Sequence, residues 1–440
     1  MGAGREISYS VSLVLVIITI VAAFNQLQTM TPWMVSVSIP PEGPQGDNVT
    51  ANRTVTLGLI IGSNSSAPRL DYAARRGMDD VNTYCQARGI PWRFNLVEAV
   101  TSDPIQQIEA IQNFYADGVK IMFCDWNSPI CLFQRYMVLH NITMIGVPDS
   151  HCRSHKQVDS IYRMSPNTTE ETRALAATLR AMGIRALIVL RDDYSIEYLS
   201  TILPREGSDI ETMVEIRYNH TEASELSEWQ VKDSERSRAL MNSTTSELNE
   251  LLKRYKPQEV GVVYAFPYLN ENHLRELGNH PELLSVTWYT TPLLDLNQTM
   301  LSKYLDTSSK IHLLSLQLPK PGNGEHLLLE KGYEESPLYT VNDAPLGLKE
   351  ASLYDSVKIA ALSVIQSGSS EGRGLQAEIQ QVAASYVGAS GRMALDSNGD
   401  RVESDFDVYG YYDVNGVTQL IDVGRFDSET GVTRLILSLK

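Results

Sequence analysis

Short apolar runs alternate with segments of helical periodicity along most of the chain from Val55 onward. The pattern is clearest where the runs Lys120–Cys124 and Met144–Val147 flank an apolar segment of helix length. Two short buried strands joined by a helix form a βαβ crossover, and such crossovers build parallel sheets. The same alternation before and after this stretch predicts an α/β protein with two doubly wound sheets.

The loops that follow these two strands carry candidate ligand-binding residues. Asn127 and Ser128 come soon after the first strand, and Ser150 follows the second. Ligands of open parallel sheets bind in the crevice beyond the carboxyl ends of the strands. We therefore expect these three side chains to face one cleft, although each of them alone could equally cap a helix or a turn.

Aromatic residues at later strand ends are further candidates. Tyr194 follows the predicted strand Ala186–Leu190, and Phe266 and Tyr268 follow the predicted strand Val260–Tyr264. A tyrosine in such a place can lay its ring and hydroxyl group against a bound molecule, whereas an aromatic residue taken alone more often belongs to the core.

No motif predicts an enzyme or a cofactor. The sequence lacks the Gly-x-Gly-x-x-Gly, Walker and Gly-x-Ser-x-Gly patterns of dinucleotide-binding enzymes, nucleoside triphosphatases and hydrolases, respectively. His151, Cys152 and His155 lack a fourth metal ligand at the usual spacing, and Asp396–Asp400 fits a tight turn better than a calcium loop. The formal net charge of −16 disfavours nucleic acid as a partner. We expect a non-enzymatic protein without a metal or cofactor.

The N-terminus predicts export. Ser8–Phe24 is a largely apolar run preceded by Arg5, and its length of about 17 residues suits either a retained anchor or a cleaved signal peptide. Arg5 before this run places the remainder of the chain outside the cell. We expect residues 1–28 to be a signal anchor or signal peptide and residues 29–53 a linker. The globular part then lies at the extracellular face of the membrane or is secreted.

Asparagine sequons fit an exported protein. Several Asn-x-Ser/Thr triplets without proline at x occur, so we expect glycosylation of some of them. Their asparagines are Asn48, Asn52, Asn64, Asn141, Asn167, Asn219, Asn242 and Asn297.

The cysteines Cys85, Cys124, Cys131 and Cys152 allow three disulfide pairings outside the cell. A Cys131–Cys152 bond would tie the crossover helix to the loop after it, and a Cys85–Cys124 bond would tie an earlier helix to the first strand end. The alternative for Cys85, which lies on an apolar helix face, is a buried thiol.

Two motifs near the C-terminus resemble a known family. Gly388–Arg401 reads GASGRMALDSNGDR and precedes Tyr409-Gly-Tyr-Tyr412, while Ala351–Ala361 contains the pair Tyr354-Asp355. These motifs are similar to those of the type I periplasmic solute-binding proteins of branched-chain amino-acid ABC transporters. That family shares its fold with the extracellular ligand domains of metabotropic glutamate and natriuretic peptide receptors. The resemblance covers about Val55 to Lys440.

The resemblance implies two Rossmann-like lobes joined by a multi-strand hinge, with a cleft between them. Lobe 1 would comprise residues 54–165 with 319–392, and lobe 2 residues 166–318 with 393–440. The family grips its ligand with the positions that match the hydroxyl and amide of Ser128, the carbonyl of Pro148 and the hydroxyl of Ser150. Tyr194, then Phe266 or Tyr268, match its contacts from the second lobe.

The implied function is capture of a small polar ligand, such as an amino acid or a related compound, for delivery to an ABC transporter permease. The alternatives are a ligand sensor that acts through a separate membrane partner and, less favoured, an extracellular enzyme on the same scaffold. Whether the chain forms a homodimer stays open.

Overall fold

The computed structural model describes residues 53–62, 64, 66–125, 127–146, 161–166, 168–192, 209–218, 226–266, 270–290, 312–319, 321–341, 343, 345–402, 404–414 and 417–436. Within these ranges no helix is both long and apolar enough to cross a membrane. The predicted apolar segment Ser8–Phe24 lies outside them, as does the predicted linker except for its last residue, Arg53, which begins the first strand.

Helices and strands alternate along the described chain as the sequence predicts. The helices are α1 (Ala67–Arg88), α2 (Pro104–Ala116), α3 (Asn127–Leu139), α4 (Thr168–Ala181), α5 (Leu226–Leu251), α6 (Glu271–Leu277), α7 (Gly324–Glu334), α8 (Leu348–Ser367) and α9 (Gly372–Ser385). The strands are β1 (Arg53–Ile61), β2 (Trp92–Val100), β3 (Ile121–Cys124), β4 (Thr143–Gly146), β5 (Ile161–Pro166), β6 (Ala186–Asp192), β7 (Thr212–Tyr218), β8 (Val260–Ala265), β9 (Thr287–Thr290), β10 (Leu314–Gln317), β11 (Val387–Gly388), β12 (Gly391–Arg392), β13 (Asp400–Arg401), β14 (Phe406–Val414), β15 (Val417–Asp427) and β16 (Val432–Leu435).

The chain divides into two compact units, each assembled from separate stretches of sequence. Unit 1 comprises Met1–Cys124, Phe133–Ile145 and Pro321–Leu395. Unit 2 comprises Asp125–Leu132, Gly146–Lys320 and Asp396–Lys440. Because each unit draws on distant parts of the sequence, neither of them corresponds to a continuous segment that could be cut out of the chain.

Within their sheet, the strands of unit 1 lie in the order β2-β1-β3-β4. β1 pairs in parallel with β2 on one side and with β3 on the other. Leu57 and Leu59–Ile61 of β1 are fully buried, as expected of a central parallel strand that is covered on both faces. Helix α8 is buried over all residues from Glu350 to Val364, so it forms the centre of the helical layer of this unit.

The main sheet of unit 2 has eight strands in the order β16-β15-β14-β10-β9-β8-β6-β7. The neighbouring strands β7, β6, β8, β9 and β10 run parallel to one another. β14, β15 and β16 add an antiparallel extension beside β10. Successive residues of β6 enter two different apolar clusters, with Ile188 and Leu190 in one and Leu187 and Val189 in the other. This sheet therefore carries a core on each of its faces.

Four helices that lead into a strand are followed by a residue with the left-handed backbone conformation. Gly89, Gly118 and Gly183 hold this position after α1, α2 and α4, with φ angles of 67°, 84° and 75°. After α3 the position belongs to Asn141, with φ of 52°. Glycine tolerates this conformation best, because it has no Cβ, and asparagine tolerates it better than most other residues.

Three expectations need correction. Helix α5 spans Leu226–Leu251, whereas the sequence pattern predicts a helix over Leu240–Tyr255 after a polar stretch at Glu222–Ser234. Helix α7 was not expected, although Asn323 caps it by accepting a hydrogen bond from the amide of His326 (2.9 Å). The Cys85–Cys124 disulfide is wrong: Cys85 is a free thiol buried on the inner face of α1, where burial raises its pKa. The side chain of Cys131 and all of Cys152 lie outside the described residues, so that pairing stays a prediction.

Candidate ligand-binding site

The connections of unit 1 diverge between β1 and β3. The chain leaves β1 towards β2, on one side, and leaves β3 towards β4, on the other. Ile60 of β1 lies opposite Cys124 of β3, so the two strands end side by side. In an open α/β sheet this topological switch point is where ligands bind. The candidate site of unit 1 is therefore the edge where β1 and β3 end.

Helix α1 begins at this edge, directly after the loop that leaves β1. Ser66, the residue before its first turn, makes no side-chain capping hydrogen bond, and no acidic residue lies in that turn. The amide groups at a helix N-terminus carry partial positive charge and attract anionic groups. This end of α1 consequently suits the carboxylate of a small ligand. The predicted site residues do not include the loop after β1, although its glycine- and serine-rich composition between strand and helix was a usable signal.

The predicted residues of the first lobe are only partly described. Asn127 and Ser128 are the first two residues of α3, a few residues beyond the end of β3, in a short segment that groups with unit 2. Their side chains, and all of Pro148 and Ser150, lie outside the described residues. The convergence of Ser128 and Ser150 on one ligand therefore stays a prediction.

Unit 2 has its own switch point, between β6 and β8. Arg191 near the end of β6 lies opposite Ala265 at the end of β8. From there the chain turns towards β7 in one case and towards β9 in the other. The strand ends that precede Tyr194 and Tyr268 are thus neighbours, whereas both tyrosines lie outside the described residues.

Phe266, which directly follows β8, belongs to the core of unit 2. Its side chain is 3% exposed. The ring centroid lies 4.5 Å from that of Tyr264, 5.1 Å from that of His273 and 6.0 Å from that of Tyr218. In this structure the ring contacts protein side chains, and its predicted contact with a ligand stays a prediction.

A buried polar network holds both ends of the loop after β8. The carboxylate of Asp233 on α5 accepts hydrogen bonds from the Tyr218 hydroxyl and from the side-chain amides of Asn270 (3.2 Å) and Asn272 (2.6 Å). Burial alone would raise the pKa of Asp233, but these hydrogen bonds outweigh it and the pKa is lowered. The Tyr264 hydroxyl accepts from the amide of Asn270 (3.1 Å). No sequence pattern indicates this network, because Asp233 lies in a stretch that reads as solvent-exposed.

The two motifs that carry the family resemblance meet inside unit 1. Asp355 of α8 is fully buried and accepts hydrogen bonds from the amides of Ala389 (2.9 Å) and Ser390 (2.7 Å) and from the Ser390 hydroxyl (2.6 Å). Burial is the largest effect on its carboxyl group and raises its pKa to about 6. A Cβ on Gly388 would overlap this carboxylate. The motifs therefore fasten α8 to the turn between β11 and β12.

Buried charge surrounds this junction. The ammonium of Lys358, one turn along α8, is fully buried, bonds to the carboxylate of Glu325 and lies 3.0 Å from the Tyr354 hydroxyl. That hydroxyl donates to Asp80 of α1 (2.6 Å). Burying a lysine without a partner is costly, so these contacts fix the positions of α1, α7 and α8 relative to one another.

No metal site emerges from the described part of the chain, where no three His, Cys, Asp or Glu side chains are grouped to hold an ion. The sequence Asp396–Asp400 forms the predicted tight turn. Oδ1 of Asp396 accepts from the amides of Asn398 (2.8 Å) and Asp400 (2.9 Å). Gly399 adopts φ of 78° in this turn.

Two α/β units, each with a parallel sheet and a switch point at its carboxyl edge, define the class of type I periplasmic-binding-protein folds. The sequence profile of the receptor family ligand-binding region matches residues 73–413. Because this match covers well over half of the chain, the protein belongs to that family of ligand-binding regions. No curated protein matches the sequence.

Proposed function

We propose that this protein captures a small polar ligand outside the cell and delivers it to an ABC transporter. The observation that carries the proposal is the match of residues 73–413 to a ligand-binding region. The switch-point edges of the two sheets support it, since they are the places where such folds hold small molecules. An amino acid or a related compound has the size and polarity that such an edge accommodates.

The proposed contacts are those expected from the sequence. The hydroxyl and amide of Ser128, the carbonyl of Pro148 and the hydroxyl of Ser150 bind the charged end of the ligand, with Asn127 beside them. Tyr194, Tyr268 and Phe266 supply aromatic contacts. The N-terminus of α1, which has no acidic residue in its first turn, adds a favourable field for a carboxylate.

Isothermal calorimetry on the full chain tests the proposal with a panel of amino acids, their amides and short carboxylates. We expect a member of the panel to bind, and the double variant Ser128→Ala/Ser150→Ala to weaken its binding by about 2 to 4 kcal/mol, or roughly 30- to 1000-fold, because buried ligand charge loses its partners. Ser243→Ala, at an exposed position on α5, is the matched control. Unchanged affinity in the double variant would show that these loops do not form the site.

The name of the matched family favours one second function, a receptor that senses the ligand and signals through a separate membrane protein. Affinity purification from membranes separates the two: recovery of a transporter permease supports delivery, and recovery of a signalling protein supports sensing. The third alternative, an extracellular enzyme on this scaffold, predicts that a bound panel member is converted to product. Detection of that product would argue against both delivery to a transporter and sensing.

Export directed by Ser8–Phe24, as a retained anchor or a cleaved signal peptide, completes the proposal. A variant that lacks residues 1–53 should then be found in the cytosolic fraction, while the full chain is recovered at the cell surface or in the medium. Cytosolic recovery of the full chain would contradict export.

A further inference from the structure

The turn after α3 differs from its counterparts by one side chain. The same backbone hydrogen bond closes all four turns: the amides of Ile90, Val119, Ile142 and Ile184 donate to the carbonyls of Cys85, Phe114, Met137 and Leu179. Three of these turns contain glycine at the left-handed position, and the fourth contains Asn141. The turn therefore requires a backbone conformation only, and the exposed side chain of Asn141 has no part in closing it.

Asn141 also opens the triplet Asn141-Ile142-Thr143, an acceptor sequence for N-linked glycans. Two other acceptor asparagines are described, and their surroundings differ. Asn64 lies in the loop after β1, where a glycan would cover the candidate ligand edge of unit 1. Asn242 lies in the middle of α5, whereas Asn141 stands at the tip of a turn between a helix and a strand.

Aromatic rings flank Asn141 on the surface of unit 1. His140 precedes it directly, and the centroid of its ring lies 4.2 Å from that of Tyr136 and 4.7 Å from that of Tyr115. Phe133 continues this aromatic cluster, with its centroid 4.8 Å from that of Tyr136. All four rings are only partly buried. Sugar rings present faces of C–H groups edged by hydroxyls, which match aromatic side chains that have an apolar body and a polar tip.

We propose that Asn141 carries an N-linked glycan whose first sugars lie against the aromatic cluster of Tyr115, Phe133, Tyr136 and His140. In the transfer, Nδ2 of Asn141 forms a bond to the anomeric carbon of a lipid-linked oligosaccharide. The bond from that carbon to the lipid diphosphate breaks, and the diphosphate leaves with the electron pair as Nδ2 gives up a proton. This inference rests on export, one part of the proposed function.

The burial of Thr143 fixes when the transfer occurs. Its side chain is 1% exposed, and its amide donates to the carbonyl of Lys120 (2.8 Å), which ties the start of β4 to the residue before β3. A transferase must read the threonine hydroxyl of the triplet, and the folded protein hides it. The glycan is therefore added before β4 joins the sheet.

Peptide mass spectrometry of the full chain, recovered from the surface or medium of glycosylating cells, tests the modification. We expect the peptide that contains Asn141 to carry a glycan that peptide N-glycosidase removes, leaving aspartate. Asn141→Gly should abolish it and still fold, because glycine closes the equivalent turns. Folded unglycosylated protein, incubated with transferase and lipid-linked donor, should stay unmodified at Asn141.

Thermal unfolding tests the contact with the rings. The glycosylated protein should melt about 2 to 4 °C above the enzymatically deglycosylated protein, a shift expected when a modest contact is added to a unit of this size. Tyr136→Leu should keep the glycan and lose most of this difference. An equal difference in Tyr136→Leu would overturn the stacking.

An unmodified Asn141 in protein whose other sequons are modified would overturn the site while leaving export intact. An unmodified chain recovered from the cytosol would overturn it together with export. Calorimetry of the same protein with the ligand panel would still report ligand binding separately in either case.

Discussion

At the scale of single residues, the family motifs act through packing. The carboxylate of Asp355 occupies the space that a side chain on Gly388 would need. It also accepts hydrogen bonds from the backbone amides of the adjoining turn. Conformational freedom is not the reason for glycine here, because a positive φ is found at Gly391 and not at Gly388. Glycine is required at this position because α8 approaches the β11–β12 turn closely.

Gly388→Ala should therefore destabilise the protein by about 2 to 4 kcal/mol, as expected when a new methyl group overlaps a buried carboxylate and an aromatic ring. Gly374→Ala is the matched control: it lies in α9 with open space around it, and alanine there should stabilise the helix by about 0.5 to 1 kcal/mol. Urea denaturation measures both. Equal effects of the two substitutions would refute the packing explanation.

At the scale of elements, the sequence predicts most of the fold of each unit. The sequence pattern predicts strands over Trp92–Val100 and Thr212–Tyr218, which are the limits of β2 and β7. Asp103 followed by Pro104 predicts a helix start, and the side chain of Asp103 caps α2 by accepting a hydrogen bond from the amide of Ile105 (2.8 Å). These elements are identifiable because apolar periodicity and capping residues are local signals.

Elements that depend on distant contacts were missed. Helix α7 buries His326, Leu329 and Tyr333, and only the last two have side chains that an apolar pattern would single out. β16 is a four-residue edge strand with a single buried side chain, Thr433, so it too lacks a periodic signal. For the candidate site, strand ends could be predicted from sequence, while the networks around Asp233 and Asp355 could not, since their partners lie far apart in the chain.

The contact between α1 and β2 contains a carboxyl group with a displaced pKa. Burial is the largest of the effects that raise the pKa of Glu98 to about 7, and the neighbouring Asp71 raises it further. Arg75, 3.3 Å from Glu98, partly opposes them. The folded protein therefore holds a proton on Glu98 between about pH 4.5 and 7 that the unfolded chain releases. Its contribution to stability is present below that window and is lost as the pH rises through it.

Glu98→Gln should consequently make the free energy of unfolding less dependent on pH, by on the order of 1 to 3 kcal/mol between about pH 4.5 and 7.5. Chemical denaturation at both ends of this range gives the difference. Asn95→Gln, at an exposed position on β2, is the control: it should leave the pH dependence of the parent protein unchanged, because neither side chain titrates. If the Glu98 variant shows the same pH slope as the parent, the proton is held elsewhere.

At the scale of the whole molecule, each unit depends on a segment that comes late in the sequence. One core cluster of unit 2 combines Leu187 and Val189 of β6 with Phe406, Val408 and Phe426 of β14 and β15, all of them buried. β14 also pairs with β10 and so closes the parallel part of the sheet. Unit 2 is thus incomplete until its C-terminal strands are added.

A chain that ends at Leu395 should fail to fold unit 2, because it lacks β13–β16 and exposes one face of β6 and β8. Hydrogen exchange followed by mass spectrometry should show rapid exchange of the amides of β6 and β8. A chain that ends at Ile436 keeps every described strand and should retain the parent's protection. Protection of β6 in the shorter chain would contradict the assigned core.

The late position of α8 also has a consequence for biosynthesis. β1 to β3 leave the ribosome long before α8, the helix whose residues Glu350–Val364 are all enclosed by the finished protein. Tyr354 of that helix reaches Asp80, so the partner of an early segment is translated more than half a chain later. Unit 1 therefore cannot complete its core until Glu350–Val364 have been translated, and its early strands spend most of translation without the helix that covers them.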